Sequence, residues 1–111
     1  MPIVTYNRTV TQVPITQGGA GALDIVAAPG VGLKVYVTQF FVILDAAGSV
    51  TFNEGTGPTA LTGVMPIAIN GFIGRGDGTS VILQTNTANS KLTMTSVTGK
   101  MFGWLTYFVD A

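Results

Sequence analysis

The stretch Leu33-Lys-Val-Tyr-Val-Thr-Gln-Phe-Phe-Val-Ile-Leu44 decides the fold class. It is rich in β-branched and aromatic residues, which pack well on a pleated surface. Its first half alternates as a half-exposed strand should. Strict alternation puts Leu33, Val35, Val37, Gln39, Phe41 and Ile43 on one face. It puts Lys34, Tyr36, Thr38, Phe40, Val42 and Leu44 on the other. From Phe40 onward both faces are apolar, and a strand buried on both faces needs a second layer outside it. In a chain of 111 residues that layer can be another subunit.

The same pattern returns at the other end of the chain. Met101, Leu105, Tyr107 and Val109 share one face of a last strand, and Phe102, Trp104, Thr106 and Phe108 share the other. Between the two stretches, short apolar runs alternate with Gly, Pro, Asn and Asp clusters. Thr9 to Ile15 reads as an edge strand, because Pro14 has no N–H to give a neighbour. Gln17 to Gly21 reads as a turn, Ala22 to Ala27 as a short strand, and Pro29-Gly30 as its end. Ser49 to Asn53 is the next strand. Ala60 to Ile69 is interrupted by Gly63 and Pro66, which predicts a bulge or a switch of sheets. Asn70-Gly71 is a tight-turn dipeptide. Gly74 to Gly78 reads as a Gly-rich loop and Val81 to Thr85 as a strand. Leu92 to Val97 and Met101 to Val109 are predicted to form a hairpin about Thr98-Gly99.

Fifteen Gly, five Pro and sixteen Thr against one Glu and three Lys argue against helix. The expected fold is all-β: a single sandwich domain over residues 1–111 with eight or nine antiparallel strands, a sandwich or barrel by their spacing. Residues 1–8 are expected to form an extended N-terminal arm.

Composition excludes much chemistry. There is no His and no Cys, so there is no imidazole base, thiol nucleophile, disulfide or zinc knuckle. The formal net charge is zero, so no field draws the chain to nucleic acid or to an acidic membrane. No stretch of about 20 residues is apolar enough for a spanning helix. The first residues lack the pattern of a secretory signal. Only 9% of residues are charged while 47% are hydrophobic, against about 25% charged in an ordinary domain. That balance predicts apolar surface hidden against other chains.

Each short motif has a plain competing explanation. Arg75-Gly76-Asp77 matches an adhesion tripeptide, and equally suits a soluble turn. Asn7-Arg8-Thr9 matches a glycosylation sequon without a route to the glycosylation machinery. Gly19-Ala-Gly21 and Gly30-Val-Gly32 lack the third glycine and the helix of a phosphate cradle. Asp24, Asp45, Glu54, Asp77 and Asp110 fall at strand ends and turns, where Asp is common for turn chemistry. Asp45 and Glu54 could meet across a hairpin, as could many pairs in any β-sandwich. The aromatics Phe102, Trp104, Tyr107 and Phe108 suit core packing, a protein interface or a sugar-stacking platform. No cofactor or metal site is expected.

Three segments carry a resemblance to a known family. They are Gly21-Ala-Leu-Asp-Ile-Val-Ala-Ala-Pro-Gly30 leading into the Leu33–Leu44 strand, Val50-Thr-Phe-Asn-Glu-Gly-Thr-Gly-Pro-Thr-Ala-Leu-Thr-Gly63, and Phe102-Gly-Trp-Leu-Thr-Tyr-Phe-Val109. In this order they resemble the small head-decoration (cement or staple) proteins of tailed bacteriophages, including those of epsilon-fifteen-type podoviruses. The resemblance lies in pattern over nearly the whole chain. It implies a non-enzymatic jelly roll, made in the host cytoplasm and bound to the outer surface of the virion capsid. There it would bridge neighbouring major capsid proteins as a homodimer, with a trimer as the other arrangement known among relatives. Phe40, Val42, Trp104 and Phe108 are the expected oligomer contacts, and Ile3, Val4 and Tyr6 the expected capsid-binding arm. The rival is a carbohydrate- or receptor-binding module of a tail fibre or knob.

Overall fold

The computed structural model describes residues 9–17 and 21–111. Among them there is no helix, and ten strands run in order: β1 (Thr11–Thr16), β2 (Gly21–Val26), β3 (Lys34–Leu44), β4 (Gly48–Glu54), β5 (Thr59–Ala60), β6 (Met65–Ile67), β7 (Phe72–Gly76), β8 (Leu83–Gln84), β9 (Leu92–Ser96) and β10 (Met101–Asp110). They form two antiparallel sheets, an arrangement consistent with a β-sandwich. The first, sheet A, has the order β1-β10-β3-β7, with β8 also on β3. The second, sheet B, has the order β2-β9-β4-β5, with β6 also on β4.

Two pairs of short strands fill one position each. β7 pairs with Gln39–Ile43 of β3, and β8 continues that edge along Tyr36 and Val37. β5 and β6 likewise share the edge of β4. The expected interruption of Ala60–Ile69 is thus a gap in one edge strand, and both halves stay in one sheet. The ten segments occupy eight strand positions.

Sheets A and B enclose one core. Val35, Val37, Phe40, Val42 and Leu44 of β3 lie with Ile15, Met101 and Leu105 on one side, facing Val26, Val50, Phe52, Ile67, Leu92 and Met94 on the other. Phe40 meets Phe52 edge-on across the sheets, with centroids 4.9 Å apart at 64°. Aromatic rings favour that geometry over a face-to-face sandwich.

Three expectations are corrected. The first concerns the alternation of β3. Thr106 and Tyr107 of β10 pair with Gln39 and Val37, which leaves Thr38 as an extra residue. This bulge resets the alternation, as bulges do. Val35 and Val37 face the core before it, and Phe40, Val42 and Leu44 face the core after it. Phe40 and Val42, expected at an oligomer contact, therefore pack inside their own chain. Thr38 survives burial because its hydroxyl and that of Thr106 are hydrogen-bonded at 2.7 Å.

The second correction concerns the end of the chain. β9 belongs to sheet B and β10 to sheet A, so Thr98-Gly99 carries the chain across the core rather than round a hairpin. Both residues have positive φ, 98° and 86°, and Asp45 accepts a hydrogen bond from the Lys100 N–H at 2.7 Å to secure the crossing. The third concerns Gly74–Gly78, expected as a loop. Gly74, Arg75 and Gly76 belong to β7, paired with β3. Gly76, at φ 96°, sits where a Cβ would lie 2.1 Å from the Thr38 carbonyl oxygen. Its glycine allows strand pairing against the bulge, where other residues would be strained.

The expected edge strand is present. Among the described residues β1 pairs only with β10, and the Gln17 N–H donates to the Met101 carbonyl. The odd-numbered residues of β1 thus face β10, and the N–H that Pro14 lacks would have pointed to the open edge.

Candidate interaction surface

The register of sheet A determines which side chains share its outer face. One row across the four strands is Pro14, Trp104, Phe41 and Gly74. The next is Thr16, Phe102, Ile43 and Phe72. Further along, Gln12, Thr106 and Gln39 form a polar row, followed by the pair Phe108 and Tyr36. At the far end Asp110 lies opposite Lys34.

Of the nine aromatic residues described, six lie on this face: Tyr36, Phe41, Phe72, Phe102, Trp104 and Phe108. The others, Phe40, Phe52 and Tyr107, pack toward the core. The outer aromatics organise one another. Phe41 stacks on Phe72 at 5.2 Å and 29°, and Tyr36 on Phe108 at 5.1 Å and 12°. Phe41 lies over Gly74, where an added Cβ would come within 3.1 Å of its ring. The Tyr36 hydroxyl donates to the Ala111 carbonyl at 2.8 Å, which satisfies its polar end. Much of this surface faces water: Phe72 is 66% exposed and Phe102 41%.

The outer face of sheet B is built from the same kind of strand with different side chains. Its rows are Asp24, Thr93 and Asn53, then Ala22, Thr95 and Thr51. The Asn53 amide donates to the Thr95 hydroxyl at 2.9 Å. Lys91 and Asp24 form an ion pair at 3.0 Å. Among the described residues this face carries no aromatic side chain.

The structure places the expected contacts unequally. Trp104 and Phe108 lie on the outer face of sheet A. Phe40 and Val42 do not, and after the bulge Phe41 and Ile43 take the outward positions. Ile3, Val4 and Tyr6 lie outside the described residues, as do most of the Asn7 sequon and Gly19. Sequence reasoning missed Phe41, Ile43 and Phe72 as surface groups. The signal for Phe72 was its place directly after the Asn70-Gly71 turn. The bulge at Thr38 had no sequence signature.

The carboxylates are distributed, and all but Asp24, which pairs with Lys91, accept main-chain N–H groups. Glu54 is buried, and its oxygens accept the N–H groups of Asn86 and Thr87. This joins the end of β4 to the segment after β8. Asp45 holds the Lys100 amide at the other end of the molecule, so Asp45 and Glu54 serve separate turns. Asp77 accepts from Thr79 and Ser80, at 2.8 and 2.9 Å. These amides, Ser80 first, hold its carboxyl down at about 2. Such bonds favour the charged form. Its motif neighbour Arg75 lies within β7, paired with Phe40. No group of three or more acidic residues that could hold a metal is found among the described residues. An open groove of about 320 Å³ runs along Leu61, Val81, Ile82, Leu83, Gln84 and Asn86.

The arrangement is suited to binding by area and shape. Asp45, Glu54 and Asp77 hold turns and connections, and six of the nine described aromatic side chains are gathered on the outer face of sheet A. Compared with protein-family models, with curated proteins and with solved structures, the chain matches none.

Proposed function

We propose that this chain is a non-enzymatic decoration protein of a tailed-phage head. In this reading it is a jelly roll that self-associates through the outer face of sheet A and staples neighbouring major capsid proteins from outside the shell. The observation that carries the reading is the aromatic outer face of sheet A beside the polar outer face of sheet B. Large contiguous apolar patches on soluble domains mark interaction sites, and aromatics are enriched at interface centres.

The strand order supports the jelly-roll part. Each sheet has four strand positions, and the chain passes repeatedly from one sheet to the other, as two interlocked Greek keys require. The sheet edges support association by face rather than by edge. Pro14 removes an outward donor on β1, a bulge at Ile25 disturbs β2, and the β5/β6 and β7/β8 edges are broken. These are the devices by which sheets avoid edge-to-edge pairing.

The size also fits. Four strands about 4.8 Å apart and some eight residues of about 3.3 Å each cover roughly 500 Å² in projection. The accessible area of a rugged face is larger, approaching the roughly 800 Å² per partner of a standard interface. Two linked copies would present two capsid contacts, so each contact can be modest and still hold through effective concentration.

The test is co-sedimentation with heads of the encoding phage assembled without this chain. The wild-type chain is expected to bind and to raise the temperature at which heads open. Trp104→Ala and Phe41→Ala are expected to lose the dimer and most of the stabilisation. Heads bound and stabilised equally well by both variants would sink the reading. The rival is favoured by one observation: the exposed ring of Phe72, stacked on the half-buried Phe41, also suits sugar stacking. Glycan-array binding that is lost in Trp104→Ala, without head binding, would establish it instead.

A further inference from the structure

Asn-Gly sequences are the most prone of all to spontaneous succinimide formation, because glycine leaves the following amide nitrogen unhindered. Asn70-Gly71 is such a pair, and Asn70 is exposed. We infer that Asn70 is a latent deamidation site, held silent by its turn and opened to reaction when the start of β7 comes away from β3.

The chemistry requires the Gly71 nitrogen to lose its proton to solvent and attack the Asn70 side-chain carbonyl carbon. A C–N bond forms, the side-chain amide leaves as ammonia, and a five-membered imide results. Water then opens either imide carbonyl, which yields aspartate or isoaspartate. No other reactant is needed.

In the closed turn each moving part is tied. The Gly71 N–H donates to the Ala68 carbonyl at 2.8 Å, so the attacking nitrogen is engaged elsewhere. The Asn70 N–H donates to the Leu44 carbonyl at 2.9 Å, and the Leu44 N–H donates to the Gly71 carbonyl at 3.2 Å. Rotating the Asn70–Gly71 peptide toward the side chain breaks the Gly71–Ala68 bond, and the two bonds to Leu44 hold the backbone on either side of that peptide against the rotation. Asn70 also holds φ at 57°, a left-handed conformation that Asn tolerates better than most residues. Gly71 cannot be exchanged for a less reactive neighbour, since a Cβ would lie 2.9 Å from the Ala68 oxygen. The turn thus demands the reactive dipeptide and at the same time restrains it.

The location gives the reaction a consequence. Phe72 follows directly, pairs with Ile43 and stacks on Phe41. An isoaspartate adds a backbone carbon at position 70, which displaces the Leu44–Gly71 bond and the entry of β7. A new carboxylate would also stand beside the aromatic face. Deamidation at this turn would therefore loosen the surface on which Phe41 and Phe72 sit.

The test is to age the full chain at neutral to mildly alkaline pH, native and in strong urea. The peptide containing Asn70 is then followed by mass and by isoaspartate-specific enzymatic methylation. The expected result is ready conversion in urea and conversion slower by about tenfold or more in the native state, reflecting the cost of local opening. Equal rates in the two states would overturn the protective role of the turn. No conversion in urea would overturn the site itself. Aged protein enriched in isoaspartate at position 70 should show an altered Tyr and Phe near-ultraviolet circular dichroism signal. An unchanged signal would remove the claimed link to the aromatic face.

Discussion

The outer faces of the two sheets have opposite chemistry on similar backbone. Both belong to antiparallel four-position sheets, and both cover the same core. Sheet B carries Thr, Asn and Asp on its outer face, with Asp24 exposed, Thr51 and Thr95 half-buried, and Thr93 and Asn53 buried. Sheet A turns out six aromatic rings. Burying the inner faces explains why the chain folds and accounts equally for both sheets. It does not explain why only one outer face is greasy. The difference separates the apolar content needed for folding from the apolar content left on the surface.

The predictions set that division against measurement. The largest effect belongs to the shared core. Phe52→Ala removes a ring that is fully buried against Phe40, and should lower the unfolding free energy by about 3–5 kcal/mol in urea titration. A loss comparable to that of a surface substitution would mean that the two sheets are not packed as described.

Next comes the outer face of sheet A. Trp104→Ala should weaken self-association by roughly 10- to 100-fold in sedimentation equilibrium, in line with truncation of an aromatic anchor worth about 1–3 kcal/mol. Monomer stability should fall much less than for Phe52→Ala. The reverse ranking would make Trp104 a core residue.

On sheet B, Thr51→Ser and Thr95→Ser should each change stability by no more than about 0.5 kcal/mol and leave association untouched. An effect on association there would erase the distinction between the faces.

The smallest effect is at the β7–β8 connection. The Asp77 carboxyl is held at about 2, below its ordinary value of 3.8. The folded state therefore favours its charged form. Its contribution is present above about pH 4 and is lost as the pH falls toward 2. Asp77→Asn should show a slightly lower Tm than wild type at neutral pH, and the two should converge at about pH 2. A gap that persists in acid would assign the effect to something other than ionisation.

Much of this organisation is legible in the sequence. The all-β class follows from Thr, Gly and Pro abundance, the edge position of β1 from Pro14, and the two-faced character of β10 from strict alternation over Met101–Val109. What alternation misses is a residue that breaks it. Thr38 looks like any strand threonine, yet as a bulge it exchanges the two faces of β3 and moves Phe40 and Val42 inward. Pairing partners are equally hidden, because a turn such as Thr98-Gly99 looks alike whether it closes a hairpin or crosses between sheets. The glycines of β7 were legible only as breakers. Their use depends on what lies opposite, the Thr38 carbonyl and the ring of Phe41.

Trp104 is the chain's single tryptophan, and it lies in the row with Pro14, Phe41 and Gly74. Its fluorescence therefore reports directly on the surface at issue. Emission and acrylamide quenching, measured across a dilution series alongside sedimentation, test the central claim. As self-association proceeds, the emission should move to shorter wavelength and quenching should fall in step with the assembled fraction. Assembly with Trp104 emission and quenching unchanged would show that the chain associates elsewhere and that the aromatic face of sheet A is not its contact.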